Sequence, residues 1–291
     1  MRFTTLAAAL AVTAALTTSH AGDASARVWE KTWTVGAKPV VHVNTNDGDV
    51  TVVRAGTGTV HTRIEYKVRV WGWHSEPREP LIELSQNGDE IKITGRERGS
   101  VVVFGGMTEE FTILVEVPES CDLELQTGDG SIEVRPGTGS LQARTGDGHI
   151  TVAGHRGEAQ LYTGDGGIDA DDIDGSLSAI TTDGRVRVSG RFDRLSLRTG
   201  DGSMTVSARR GSKLVEPWDV TSGDGSVTMR IPRDLAALLD ASTHDGSLHV
   251  DLPVDVSGGM THHTLRGELN GGKTPLRMRT GDGRLTLALS E

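Results

Sequence analysis

Nine aspartates stand directly before a glycine in Thr-Gly-Asp-Gly or a close variant: Asp47, Asp129, Asp147, Asp165, Asp183, Asp201, Asp224, Asp245 and Asp282. A row of carboxylates and turn carbonyls supplies hard oxygen ligands, the chemistry that holds calcium. Two carboxylates flanking a sugar linkage could instead serve glycoside hydrolysis. The plainer chemistry is a turn, in which the aspartate accepts backbone N–H bonds and the next glycine takes positive φ cheaply. The densest acid run is "GDGGIDADDIDG", with Asp165, Asp169, Asp171, Asp172 and Asp174. Asp165, Asp171, Asp172 and Asp174 are the calcium candidates, and the same run would carry a polysaccharide lyase or glycosidase. Spacing speaks against both. Calcium-binding β-rolls repeat every nine residues or so, whereas the central interval here is 18 residues. The acids fall in turns and at an outward strand position, and no Lys or Arg occupies the matching positions of that coil to hold a uronate. Turn chemistry is the expected role of all nine, and no catalytic residue, cofactor or metal ligand is assigned.

Other reactive side chains add little. His149, His155, His244, His249, His262 and His263 lack the H-x-E or C-x-x-C companions of a transition-metal site. Cys121 is the single cysteine, so no internal disulfide forms and stability rests on packing. Its place ahead of an alternating strand predicts a buried or half-buried thiol. Trp71 and Trp73, two apart on one strand, are expected to cap a core or an end coil, with an exposed sugar platform as the alternative.

The elements that position these residues follow from alternation. Counting from each repeated aspartate, positions −6 and −4 are apolar every time, as in Leu141/Ala143 and Ala159/Leu161. Positions +3 and +5 are apolar too, as in Ile150/Val152 and Ile168/Ala170, while −5 and +4 are polar. Such alternation marks strands with one buried face. Each repeat is therefore strand, Gly-Asp-Gly turn, strand. From Asp129 to Asp201 the interval stays at 18 residues, then becomes 23 and 21, and finally 37, close to two turns. A hairpin meander needs no constant period, whereas stacked coils do. The expected fold is all-β: a single-stranded β-solenoid of about 18-residue coils. A meander barrel or sandwich is the alternative.

Residues 27–118 carry longer alternating stretches, with Asn87-Gly88 as a hairpin turn, and are expected to form an antiparallel β cap over the first coil. Residues 119–291 form the repeat solenoid, continuous with the cap. Residues 1–26 have Arg2, an apolar run from Leu6 to Leu16 and small residues at Ser19-His20-Ala21 and Ala24-Ser25-Ala26. That pattern predicts a signal peptide cleaved after Ala21 or Ala26, and the run is too short to span a bilayer. A net charge of −10 with scattered basic residues excludes phosphate-tracking nucleic-acid binding.

"VNTNDGDVTV", "VEVPESCDLELQTGDGSIEV" and "LNGGKTPLRMRTGDGRLTLAL", with the export signal, resemble the bacterial putative adhesins with DUF4097-type β-strand repeats. The resemblance covers nearly all of the mature chain. It implies a repetitive β-helical envelope or cell-surface protein without established catalytic residues. The expected function is thus an exported, non-enzymatic binding or structural module in the periplasm, at the cell surface or outside the cell. Its expected partner is a protein or polysaccharide, with no nucleic acid, no cofactor and no transmembrane segment in the mature chain. The polysaccharide-active enzyme and the calcium-stabilised repeat protein are the alternatives.

Overall fold

A computed structural model describes residues 24–74, 79–96, 102–252 and 261–290, and every regular element among them is a strand. In chain order these are β1 Ala24–Thr34, β2 Val40–Thr45, β3 Asp49–Arg54, β4 Thr59–His74, β5 Leu81–Asn87, β6 Glu90–Arg96 and β7 Val102–Val117. Next come β8 Asp122–Gln126, β9 Ile132–Val134, β10 Gly137–Arg144, β11 Ile150–Ala153, β12 His155–Tyr162, β13 Ile168–Ile180, β14 Val186–Thr199 and β15 Met204–Ala208. The last are β16 Trp218–Ser222, β17 Val227–Ile231, β18 Ala237–Thr243, β19 Leu248–Asp251, β20 Thr264–Leu269, β21 Pro275–Thr280 and β22 Leu285–Leu289.

The repeats stack as parallel, in-register coils. Leu123 lies beside Leu141, Leu141 beside Ala159, Ala159 beside Leu177 and Leu177 beside Leu195, a step of 18 residues each time. Strands preceding each Gly-Asp-Gly corner line one side of the stack, here the leading face. Those following it line the trailing face. The inward apolar positions of both faces are buried except Leu248 and Val250, which are half-buried on β19, a strand with β22 as its one ladder partner among the described residues. A coil can bury its apolar residues only against its neighbours, so the stack coheres lengthwise.

Chain order and stacking order part at both ends. The coil β21–β22 inserts between β16–β17 and β18–β19: Met278 sits beside both Val220 and Ala241, and Leu287 beside both Met229 and Val250. Strand β20 then closes the outer edge of β18 antiparallel. The 37-residue interval before Asp282 is the length of this return path, not a pair of sequential turns. At the other end β2–β3 lies between β8–β9 and the pair β6, β7, all parallel. Residues 27–118 are therefore not antiparallel throughout, as their pattern suggests. Antiparallel pairing joins β1 to β4, β4 to β7 and β5 to β6, the last through the Gly88-Asp89 turn. Yet the same region contributes a coil with its own corner at Asp47. Residues 1–23, including the expected leader, lie outside the described residues, as do the side chains of Trp71 and Trp73.

The corners correct the turn chemistry expected from sequence. None of the glycines flanking the nine aspartates has positive φ. They are glycine because adjacent coils touch backbone to backbone. A Cβ on Gly146 would lie 2.7 Å from the carbonyl oxygen of Gly128, and one on Gly164 would lie 2.6 Å from that of Gly146. On the far side of the aspartate the approach is closer still, for Gly148, Gly166, Gly184 and Gly202 alike. That difference explains the sequence: the position after Asp is always glycine, whereas the one before it admits Asn46, Thr182 and His244.

The hydrogen bonds of the corner come from threonine, not aspartate. Thr145 Oγ1 is 2.8 Å from the carbonyl oxygen of Gly130, Thr163 Oγ1 2.8 Å from that of Gly148, and Thr181 Oγ1 2.9 Å from that of Gly166. Each hydroxyl also approaches the carbonyl two residues earlier, as from Thr145 to Gly128 at 3.0 Å, so its single proton is shared. Thr145 Oγ1 in turn accepts from Gly148 N–H at 3.2 Å. Ser222, Thr280 and Thr243 continue the column through the displaced last coils. These hydroxyls are buried, whereas all nine aspartates are exposed.

Two consequences can be measured by thermal or chemical unfolding. Gly166→Ala should destabilise by the upper end of the roughly 1–3 kcal/mol that overpacking costs, and more than Gly164→Ala. Thr163→Val should cost about 1–2 kcal/mol, the loss of a buried donor, while Asp165→Ala stays within about 0.5 kcal/mol. Equal losses at Thr163 and Asp165 would return the corner to the carboxylate.

Candidate functional site

Parallel register sets the outward residues of successive coils in columns about 4.8 Å apart. On the leading face, one column runs through Lys92, His42, Glu124, Gln142 and Gln160. It continues through Ser178, Ser196, Asp219 and Arg277. The column beside it holds Gln126, Arg144, Tyr162, Ile180 and Arg198. Three depressions of about 210, 160 and 520 Å³ lie along these columns. The first two share Glu124 and Gln126, and the last two share Gln160 and Ser178. Together they make one groove along the stack.

Most charges in this groove are spent on one another, Arg144 and Glu158 excepted. His42 Nδ1 lies 2.8 Å from Glu124 and its Nε2 3.3 Å from Glu90, which Lys92 approaches at 2.8 Å. The Lys92 hydrogen bond holds the Glu90 carboxyl below its ordinary range, and Glu90 raises the Lys92 ammonium in return. Further along, Arg194 pairs with Glu216 at 2.8 Å and Arg277 with Asp219 at 3.3 Å. Arg144 lies over the Tyr162 ring, 5.5 Å from its centroid. Tyr162 and its neighbour Ile180 are large apolar side chains left exposed, at 41% and 39%. Sequence reasoning passed over them. Their signal was an apolar pair at a position, three before the corner aspartate, where most other repeats carry a polar residue.

The acids at 165–174 lie elsewhere, on the trailing face and the bend beyond it. Between Ala170 and Ile173 the register against β14 slips by one residue, and Asp172 takes φ 55°. The bulge gathers arginines from following coils that no pattern within one coil could disclose. Arg209 contacts Asp171 at 3.4 Å and also Asp172, Arg187 approaches Asp169 at 3.6 Å, and Arg191 joins Asp174 to Asp193. The two aspartates raise the Arg191 guanidinium pKa, with Asp193 the larger influence. Asp165 belongs to the corner column and stands apart from these pairs. Among the described residues no group of three or more His, Cys, Asp or Glu side chains converges on a common point.

The remaining candidates are scattered. His149, His244, His249, His262 and His263 are exposed, while His155 is buried with Nε2 3.1 Å from the Gly139 carbonyl. Burial lowers the His155 pKa, favouring the neutral ring. Cys121 is buried, and desolvation, aided by the Asp122 charge, pushes its thiol up to about 12. No helix among the described residues is long and apolar enough to cross a membrane.

A family model described as Toastrack DUF4097 matches residues 59–288, the leading and trailing faces included. The chain belongs to the DUF4097 family. Solved structures similar to this DUF4097 chain include a putative lipid binding protein from Parabacteroides distasonis, 12% identical, with 90% of this chain and 97% of that one covered at a TM-score of 0.45. Another is a putative adhesin from Bacteroides fragilis, 9% identical, with coverage of 90% and 97% and a TM-score of 0.39. A putative cell adhesion protein from Clostridium sporogenes is 11% identical, with coverage of 90% and 99% and a TM-score of 0.28. No curated protein matches the chain.

The buried thiol makes a prediction for the DUF4097 stack. Cys121 should resist a thiol reagent at pH 8 in the native protein and react at once in denaturant, because nucleophilic attack needs the thiolate. Fast labelling of native protein would show that β8 opens readily.

Proposed function

We propose that this DUF4097 protein is an exported, non-enzymatic binding module of the cell envelope or surface, presenting its leading face to a ligand. The carrying observation is the groove along that face, where most charged groups are paired and the amides of Gln126 and Gln142 and the hydroxyls of Ser178 and Ser196 have no partner among the described residues.

Against hydrolysis, Asp171, Asp172 and Asp174 are each engaged by an arginine rather than standing as a free pair of carboxyl groups across an open cleft. The exposed corner aspartates act as solvated turn residues in this reading rather than as calcium ligands. Cleavage after Ala21 is the better fit for export, since β1 begins at Ala24 and pairs along its length with β4. Cleavage after Ala26 would remove the first three residues of that strand.

Cell fractionation with mass spectrometry of the mature N-terminus should find Gly22 first, in the periplasm or outside the cell. Full-length chain in the cytoplasm would refute export. Purified protein should sediment with isolated envelopes and release no sugar from polyuronates, with Asp171→Asn and Asp172→Asn no different from wild type. Product formation lost in those variants would establish the enzyme instead. A chelator should leave the melting midpoint unchanged, whereas a calcium-dependent fall would assign the aspartates to metal.

A further inference from the structure

We infer that the leading-face groove binds an uncharged polysaccharide strand lying along the stack axis, with Tyr162 as the platform for one sugar ring. The inference rests on the binding-module reading above and names its ligand. Four observations converge on it.

The first is shape. The central column from Lys92 to Arg277 crosses nine strands in single file, a track of roughly 40 Å at the spacing of paired strands. Its depressions join end to end. A linear polymer fits such a track, whereas a compact small ligand would use only one depression.

The second is charge. His42, Arg194 and Arg277 each meet a carboxylate of the groove itself and Lys92 meets Glu90 at its edge, while Arg144 lies over the Tyr162 ring and Glu158 accepts from Gln160. A polyanion would have to strip most of these basic groups from their partners, and a polycation would have to strip most of the acids. A neutral polymer displaces neither.

The third is hydrogen bonding. Gln126, Gln142, Ser178 and Ser196 are spaced along the track, and no contact within the described structure engages their amide and hydroxyl groups. Amides and hydroxyls both donate and accept, which matches the two-way hydrogen bonding of sugar hydroxyls. The small serines leave room on the floor where the groove is widest.

The fourth is the apolar anchor. The Tyr162 ring stands among these polar groups, braced by Arg144 and flanked by Ile180. One ring in a polar track suits the C–H face of a pyranose. It is too little for a protein partner, whose interface would need a cluster of aromatic and aliphatic anchors in a water-excluding core. A lipid chain would likewise find an amide floor in place of an apolar one.

Native affinity electrophoresis of the full mature protein tests the inference, using gels containing a mannan, a galactan, a dextran, a mixed-linkage glucan or polygalacturonate. At least one neutral polymer should retard the protein, and polygalacturonate should not. Tyr162→Ala should weaken that retardation roughly tenfold, as expected for loss of a single anchor. Gln142→Ala should weaken it several-fold, and Thr205→Ala on the trailing face should leave it unchanged. Melting curves of the variants separate lost binding from lost folding. Retardation by none of the neutral polymers, retardation by polygalacturonate alone, or indifference to Tyr162→Ala overturns the inference. Envelope sedimentation distinguishes the two levels: if it persists while the neutral polymers fail, the ligand assignment falls and the binding module stands. If sedimentation is absent as well, both fall.

Discussion

The architecture depends on how closely one coil can rest on the next at the Gly-Asp-Gly corner. There the backbone of Gly148 lies against that of Gly130, and Gly166 against Gly148, leaving no space for a side-chain carbon between them. The hydroxyl residue two before the aspartate, threonine everywhere but Ser222, uses the same closeness and sends its hydroxyl into the carbonyls of the adjoining coil at every corner but that of Thr45. Backbone polar groups buried in a turn are costly unless paired. A buried threonine column satisfies them without bringing a charge inside. The aspartate can then remain outside, where the high dielectric of water weakens the repulsion along a vertical row of like charges.

From that corner, the two strands of each coil leave in fixed directions and in fixed register. A slip of one residue would turn every apolar side chain outward, so the corner protects the core as well as the turn. Where the coil lengthens before Trp218, larger side chains fill the interior. Phe192, in register with Gly175 of the preceding coil, meets Trp218 edge to face with centroids 6.1 Å apart. The same register governs function. Because position on the coil decides the column, outward residues far apart in sequence, such as Lys92, His42 and Glu124, become immediate neighbours.

Insertion at the two ends has its own physical logic. Any coil with an intact corner and apolar strands can stack on any other, since the interface is chemically repetitive. The chain is therefore free to cover the edge of β18 with β20 and then return to place β21–β22 beneath β18–β19. At the opposite end the long pair β4 and β7, with β1 beyond, gives the trailing face a broad closing layer. Uncovered parallel edges invite association, and both arrangements reduce them.

Much of this was legible in the sequence. Alternation about each aspartate specified which residues face inward, and the constant interval specified stacked coils, because only a repeating rung demands a fixed length. A buried Cys121 also followed from its place beside a strand. Sequence pattern could not say why the glycines are there, since positive φ and close approach both call for glycine and only the spacing between coils separates them. Nor could it order the last coils, because repeats of equal affinity for one another carry no address. The arginines that neutralise Asp171, Asp172 and Asp174, and the groove around Tyr162, join residues of different coils. Local sequence encodes each rung. Which side chains become neighbours is decided by the stacking, where register and insertion set the partners.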